Sequence, residues 1–327
     1  MIKSIYYLNG ITKTDLSMDE IKESLSRNQG VLWVDLVQTP YSEAEEILRE
    51  IFGFHPLAVS DALDEVHVPR VDDWGDYLYV VLHSIKFDPL AEVPLYTDEL
   101  DIFLSKHFLV TYQNVAIPVV DKVRQTIERD SRFLQQGADH LFYKLADDLV
   151  AEILPVVDRM DDAIDTIEDR MFARDNQGLL EQIFTLKRSL LHLRRILMPQ
   201  REVFNKLARG DDHVIDKQER VFFRDIYDHM VRLYDISESL RDLISGALET
   251  YLSVINNRMN DVMKTLTIIT TLFMPISFLT GFFGMNFFAA DPPFAGWTSQ
   301  PMLVVLLCIL VLLPVGMFIW MRSRRWM

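Results

Sequence analysis

Residues Ser245–Phe287 read SGALETYLSVINNRMNDVMKTLTIITTLFMPISFLTGFFGMNF, and the change of character inside this stretch decides the architecture. Up to Lys264 it is polar and helical in pattern. Thr265–Phe283 is then uncharged, about 28 Å of helix at about 1.5 Å per residue, enough to cross the hydrocarbon core of a bilayer. A second uncharged run, Ser299–Met321, follows after a short loop, and from Thr265 to Met321 the only Asp, Glu, Lys, Arg or His is Asp291. The core helix of a soluble domain passes the same length test, but two such runs in succession predict two transmembrane helices.

Working outward, Arg258 and Lys264 precede the first span and Arg322, Arg324 and Arg325 follow the second, while the loop between them carries no cation. Cationic flanks mark the cytoplasmic side, so both termini are expected to be cytoplasmic, in a cell (inner) membrane protein. Trp297, Trp320 and Trp326 fall near the expected interfaces, where amphipathic rings are favoured. The N-terminal MIKSIYYLNGITKTD has no apolar targeting core, so residues 1–262 are expected to stay inside.

The chain has 327 residues, 33 Lys+Arg against 48 Asp+Glu, a net charge of -15, one Cys and 49% hydrophobic residues. That composition excludes a disordered chain, a disulfide scaffold and a generic polyanion binder. Lys264, Asp291, Arg322, Arg324 and Arg325 together carry +3, which leaves -18 on residues 1–262: a large acidic domain on a short membrane anchor. The lone Cys308 lies in the second span and reads as an apolar packing residue.

Residues 1–135 read as an α/β cytoplasmic domain. Ile2–Leu8, Val31–Val37, Tyr77–Phe87, Glu99–Leu104 and Phe108–Gln113 are rich in aromatic and β-branched residues, as strands should be, and Ser42–Phe52 and His55–Leu63 are spaced as helices. Residues 136–215 are read as a cytoplasmic helical hairpin, Asp139–Arg174 and Leu179–Lys206, turning at Asn176-Gln177-Gly178. Residues 216–283 follow as one stalk helix, about 100 Å long unless Gly246 breaks it, continuing into the first span. An outer loop 284–298, the second span 299–321 and a basic tail 322–327 complete the chain.

Two spans cannot enclose a pore alone, so the protein is either a tethered cytosolic protein or several copies around one axis. Asn260, Met263, Thr267, Thr270, Met274, Ser277 and Gly281 are spaced 3-4-3-4-3-4, a heptad seam of small, polar or flexible residues. Ile268, Ile269, Leu272, Phe273, Ile276 and Leu279 take the other side. A seam of this kind suits a wet axis, and small residues at the same spacing serve tight helix packing equally well. The Gly284-Met285-Asn286 tripeptide that follows favours a pore. Neutral, hard amide and carbonyl oxygens there suit hydrated Mg²⁺, which gives up its water reluctantly.

These residues, with FRDIYDH at Phe223–His229 and FGFHPLAVSDAL at Phe52–Leu63, make the chain resemble the CorA family of divalent-cation channels. The resemblance implies a funnel-shaped homopentamer whose long helix lines the pore. It implies an outer selectivity ring at Gly284, Met285 and Asn286, with Asn260, Leu266, Thr270 and Met274 lining the pore below, Leu266 and Met274 as apolar constrictions. It also implies that Asp61 and Asp225 of neighbouring subunits bind regulatory Mg²⁺, although Ser60 stands where an acid often precedes the aspartate. The resemblance is weakest at residues 1–30 and after Phe287.

Other candidates carry less. The run DRMDDAIDTIEDR (Asp158–Arg170) places Asp158, Asp162, Asp165 and Asp169 on one helical face, a pattern that suits a solvated surface. Asp225, Asp228 and His229 have the spacing of a helical metal site, but the other His are scattered and the Cys is in the membrane, against structural zinc. No Walker loop, G-x-G-x-x-G or G-x-S-x-G occurs, which gives no support to an enzyme. Three readings follow: a Mg²⁺ channel also passing Co²⁺ or Ni²⁺; a ZntB-type Zn²⁺ transporter, proton-coupled; and a membrane-anchored scaffold.

Overall fold

The computed structural model describes residues 1–64, 67–173, 176–210, 212–283 and 300–324. The strands are β1 (Ile2–Leu8), β2 (Ile11–Thr14), β3 (Val31–Val37), β4 (Arg70–Asp73), β5 (Leu78–Phe87), β6 (Leu95–Leu104) and β7 (Phe108–Gln113). The helices are α1 (Met18–Arg27), α2 (Tyr41–Glu46), α3 (Pro56–Asp64), α4 (Pro118–Arg129), α5 (Arg132–Gln135), α6 (Ala138–Ala151), α7 (Ile153–Met171), α8 (Leu179–Arg209), α9 (Arg220–Phe283) and α10 (Gln300–Ser323). The chain divides into two compact units, Met1–Leu248 and Glu249–Met327.

In the first unit all seven strands form one sheet in the order β2-β1-β3-β7-β6-β5-β4, antiparallel except where β3 runs parallel to β7. Every residue of β3 (VLWVDLV) is buried, which is why it reads as an unbroken apolar run: helices cover both faces of the strand. Leu32, Val34 and Leu36 point into a core shared with Ile21 of α1, Ala44 of α2, Ala58 of α3, Phe54 and Phe103. The opposite face is covered by α6, α7 and α8. Asp35, the one acid in β3, accepts from Thr111 Oγ1 at 2.7 Å and Gln113 Nε2 at 2.9 Å. Burial still raises its pKa.

Several elements differ from the sequence expectation, each for a local reason. The single helix expected over Asp139–Arg174 breaks at Glu152, because Pro155 has no N–H for the carbonyl of residue 151 and α7 restarts just before it. Arg174 itself lies outside the described residues. Ser42–Phe52 begins as α2 but continues as a π-helical turn, Ile47–Ile51, closed by Phe52 N–H donating to the Ile47 carbonyl at 3.2 Å. β6 starts at Leu95, four residues before the expected Glu99, because it pairs with β5 out to Phe87. The edge strands β2 and β4 and helix α1 were not expected. α1 nonetheless carries a capping box, in which Ser17 Oγ accepts from Glu20 N–H and Glu20 caps the Ser17 N–H.

α9 is one continuous helix of 64 residues, and Gly246 does not interrupt it. It starts at Arg220 rather than Asp216. Its apolar C-terminal part and α10 are each long and apolar enough to cross a bilayer.

Candidate functional site

The second unit contains the seam. Asn260, Met263, Leu266, Thr267, Thr270, Met274, Ser277 and Gly281 are all exposed on α9 in the single chain. The partly covered positions of the same stretch are Ile268, Thr271, Leu272, Pro275, Ile276 and Leu279. At about 100° of turn per residue, these two sets centre on nearly opposite sides of the helix. On α10 the partly or fully covered positions are Leu306, Leu310, Leu313, Pro314, Met317 and Met321, one line along that helix. The bulky side expected opposite the seam is therefore split, with Ile268, Leu272, Ile276 and Leu279 covered and Ile269 and Phe273 exposed.

Thr267 Oγ1 donates to the Met263 carbonyl at 2.8 Å and Thr270 Oγ1 to the Leu266 carbonyl at 2.9 Å. Each hydroxyl has thus given its only proton to the helix backbone, and what it presents outward is oxygen lone pairs. Acceptors without competing donors suit the outward-pointing hydrogens of a hydrated cation. Gly284, Met285 and Asn286 lie outside the described residues.

The acids lie in the first unit. Asp61, on α3, is ion-paired to Arg70 and has His67 Nε2 4.0 Å from its Oδ1. Asp225 is exposed on α9, beside α6, where its negative charge helps hold Tyr143 and Asp147 above their usual pKa values after the larger effect of their own burial. His229 pulls Asp147 the other way. Asp61 and Asp225 share no hydrogen bond or ion pair within the chain, and among the described residues no group of three or more His, Cys, Asp or Glu is poised around a metal position. Sequence reasoning did not single out Asp147: it lies on α6, and its approach to the Asp225 and His229 face is a tertiary fact.

A buried polar network, also not anticipated, fixes the segment that holds Asp61. Tyr79 Oη donates to Asp101 Oδ1 at 2.6 Å, His67 N–H donates to Glu99 Oε2 at 2.5 Å, and His83 Nε2 lies 2.6 Å from the His67 carbonyl. Burial, reinforced by the charge of Glu99, pushes the Asp101 carboxyl well above its ordinary range, and burial likewise raises Glu99 and keeps His83 neutral. The network anchors the start of the short stretch from His67 to Arg70, and Arg70 holds Asp61.

The family model for CorA-like Mg2+ transporter protein matches residues 28–324. The chain is 34% identical to the putative metal ion transporter YfjQ of Bacillus subtilis, over 90% of this chain and 89% of that one. This chain belongs to the CorA family. It is also 32% identical to the cobalt/magnesium transport protein CorA of Thermotoga maritima, over 90% of this chain and 83% of that one. The solved CorA magnesium transporter of Methanocaldococcus jannaschii superposes with a TM-score of 0.82, covering 99% of this chain and 98% of that one at 21% identity, a likeness of fold. CorA membership accounts for an α/β unit followed by a long helix and a C-terminal apolar helix, and makes this a membrane protein of a transporter family.

Proposed function

We propose that the protein is a divalent-cation channel that takes up Mg²⁺, and also Co²⁺ or Ni²⁺, through a homopentamer in the cell membrane with both termini in the cytoplasm. The observation that carries this reading is the seam on α9, which lies on the side away from the shielded stripe and whose threonines turn acceptor oxygens outward. Copies arranged around that seam make a neutral, oxygen-lined conduit. Mg²⁺ holds its octahedral water shell tightly, so such a wall hydrogen-bonds the shell rather than stripping it. Asn286, with Gly284 and Met285, forms the entrance ring, and Leu266 and Met274 narrow the path with apolar side chains that gate by dewetting.

Closure follows from the acidic cytoplasmic unit. Asp61 of one copy and Asp225 of the next repel until a divalent ion bridges them, so intracellular Mg²⁺ locks neighbouring copies together and its loss lets them move. Arg70 already neutralises part of the Asp61 charge, which weakens that bridge and suits a sensor that must empty as Mg²⁺ falls. Zinc transport of the ZntB type is the alternative, and the described seam offers it hydroxyl, amide and thioether groups but no imidazole or thiolate, the ligands zinc favours.

Uptake into liposomes holding the reconstituted protein tests the reading. Mg²⁺ entry without a proton gradient, abolished by Asn286→Ala in an intact assembly, is expected. Zn²⁺ entry that requires a proton gradient would establish the alternative, and no uptake of either ion would leave a scaffold.

A further inference from the structure

The outward face of α8 bears a second seam that transport does not use. Phe184, Arg188, Leu191, Arg195 and Met198 are all exposed and spaced 4-3-4-3, alternating apolar and cationic residues along one line. Phe184, Leu191 and Met198 keep 45%, 39% and 50% of their surface open to solvent, too much for side chains of this size to be counted as core. Arg188 donates only to Thr185 Oγ1 at 3.2 Å, and Arg195 makes no hydrogen bond or ion pair among the described residues. By contrast Arg194, one position away, pairs with Glu238 and lies over Tyr234, both on α9.

α7 carries the complement. Asp158, Asp162, Asp165 and Asp169 are exposed at 4-3-4 spacing, the same heptad period. Among the described residues none of these four carboxylates forms an ion pair, and Asp161 beside them is held above its ordinary pKa, first by partial burial and then by Asp165, Asp162 and Asp158.

We propose that the α8 seam is the docking surface for a second copy of this chain, whose α7 carboxylates lie against it with Arg188 paired to Asp165 and Arg195 to Asp158. The register follows from the hairpin. Within one chain Arg170 Nη1 donates to Gln182 Oε1 at 2.7 Å, which fixes the level of α7 against α8. Six residues down each helix from that level brings Arg188 opposite Ile164, next to Asp165. Seven more bring Arg195 opposite Val157, next to Asp158. A copy related by rotation about an axis along the hairpin keeps those levels, so both arginines meet carboxylates at once, a head-to-tail contact that closes into a ring. An anionic bilayer would also attract the arginines, but the row of carboxylates with the same period and the same level selects another copy. The interface rests on the oligomer proposed above and adds to it a contact far from Asp61 and Asp225 in sequence.

The test uses full-length protein in a Cys308→Ser background, with Arg195→Cys on one tagged chain and Asp158→Cys on a differently tagged chain, co-expressed and treated in detergent with a short bismaleimide. A mixed dimer that neither variant forms alone is the expected result. Reversing Arg188 and Arg195 to Glu should weaken association, and adding Asp158→Arg and Asp165→Arg to the same chain should restore it. An oligomer of unchanged mass that yields no mixed dimer overturns the interface while leaving the channel reading intact. A monomer under the same conditions overturns the assembly, and this contact with it.

Discussion

Thr270→Val tests whether the seam faces the ion, as the proposed function requires. The Thr270 hydroxyl donates to the Leu266 carbonyl at 2.9 Å, and that carbonyl keeps its ordinary helical partner, so losing the hydroxyl leaves α9 intact. Valine matches threonine in shape and nearly in helix propensity. What disappears is one ring of outward lone pairs, one from each copy. A hydrogen bond of this type is worth about 1 kcal/mol net, so a hydrated ion that loses one or two of them at this level crosses it about 5-fold to 30-fold more slowly. The assay is initial Mg²⁺ uptake into liposomes at matched protein density. Ile276→Val serves as the control, being an equally small change on the shielded side of the same helix. If Thr270→Val conducts like the parent, or if Ile276→Val loses as much, the seam does not line the conduit.

Other expectations follow from the acids. Asp225→Asn removes one side of the proposed regulatory bridge, so half-inhibition by intracellular Mg²⁺ should move to at least about fivefold higher concentration, the equivalent of about 1 kcal/mol for an exposed charge contact, read from patch currents. Asp101→Asn keeps the shape of the protonated acid, leaving an acceptor for Tyr79 and a donor for Glu99. Because the folded pKa of Asp101 lies above its unfolded value, the folded state holds a proton that the unfolded chain releases above about pH 4. Stability is therefore full below that range and falls as pH rises toward the folded pKa, by up to about 1.4 kcal/mol per pH unit. The asparagine variant should gain more in melting temperature over the parent at pH 8 than at pH 5, and an equal gain at both would show that Asp101 is ionised in the fold.

How much of this was legible in the sequence depends on how local the determining physics is. β1, β3 and β7 could be bounded from composition because each is flanked by turn residues and buried or paired along its whole length. β2 and β4 could not: ITKT and RVDD are short edge strands whose pairing depends on β1 and β5. The break at Glu152 was readable in principle, since Pro155 is in plain view, but the surrounding apolar period masked it. The polar seam on α9 was legible because periodicity survives translation into a helix. The nearness of Asp225 to Asp147, and of Asp101 to Glu99 and Tyr79, needed the fold: the first pair joins two helices and the second cluster joins two strands.

If the proposed function holds, the division of charge along the chain follows from what each part must do with the same ion. A conduit must bind weakly enough to release, and a carboxylate ring inside a low-dielectric membrane would hold a divalent cation too long for rapid passage. From Thr265 to Phe283 there is accordingly no charge, and the seam threonines, Thr267 and Thr270, have already spent their hydroxyl protons on the backbone. A sensor has the opposite requirement. It must bind strongly enough to report the cytosolic concentration, which needs formal negative charge kept near water, where an empty site can be solvated. Asp225 is exposed and Asp61 is partly so, with Arg70 tempering it. Moving either acid into the spans, or the seam's neutral oxygens into the sensor, would defeat both tasks. On the proposed function, the -18 carried by residues 1–262 belongs to the sensing half and the uncharged stretch from Thr265 to Phe283 to the conducting half.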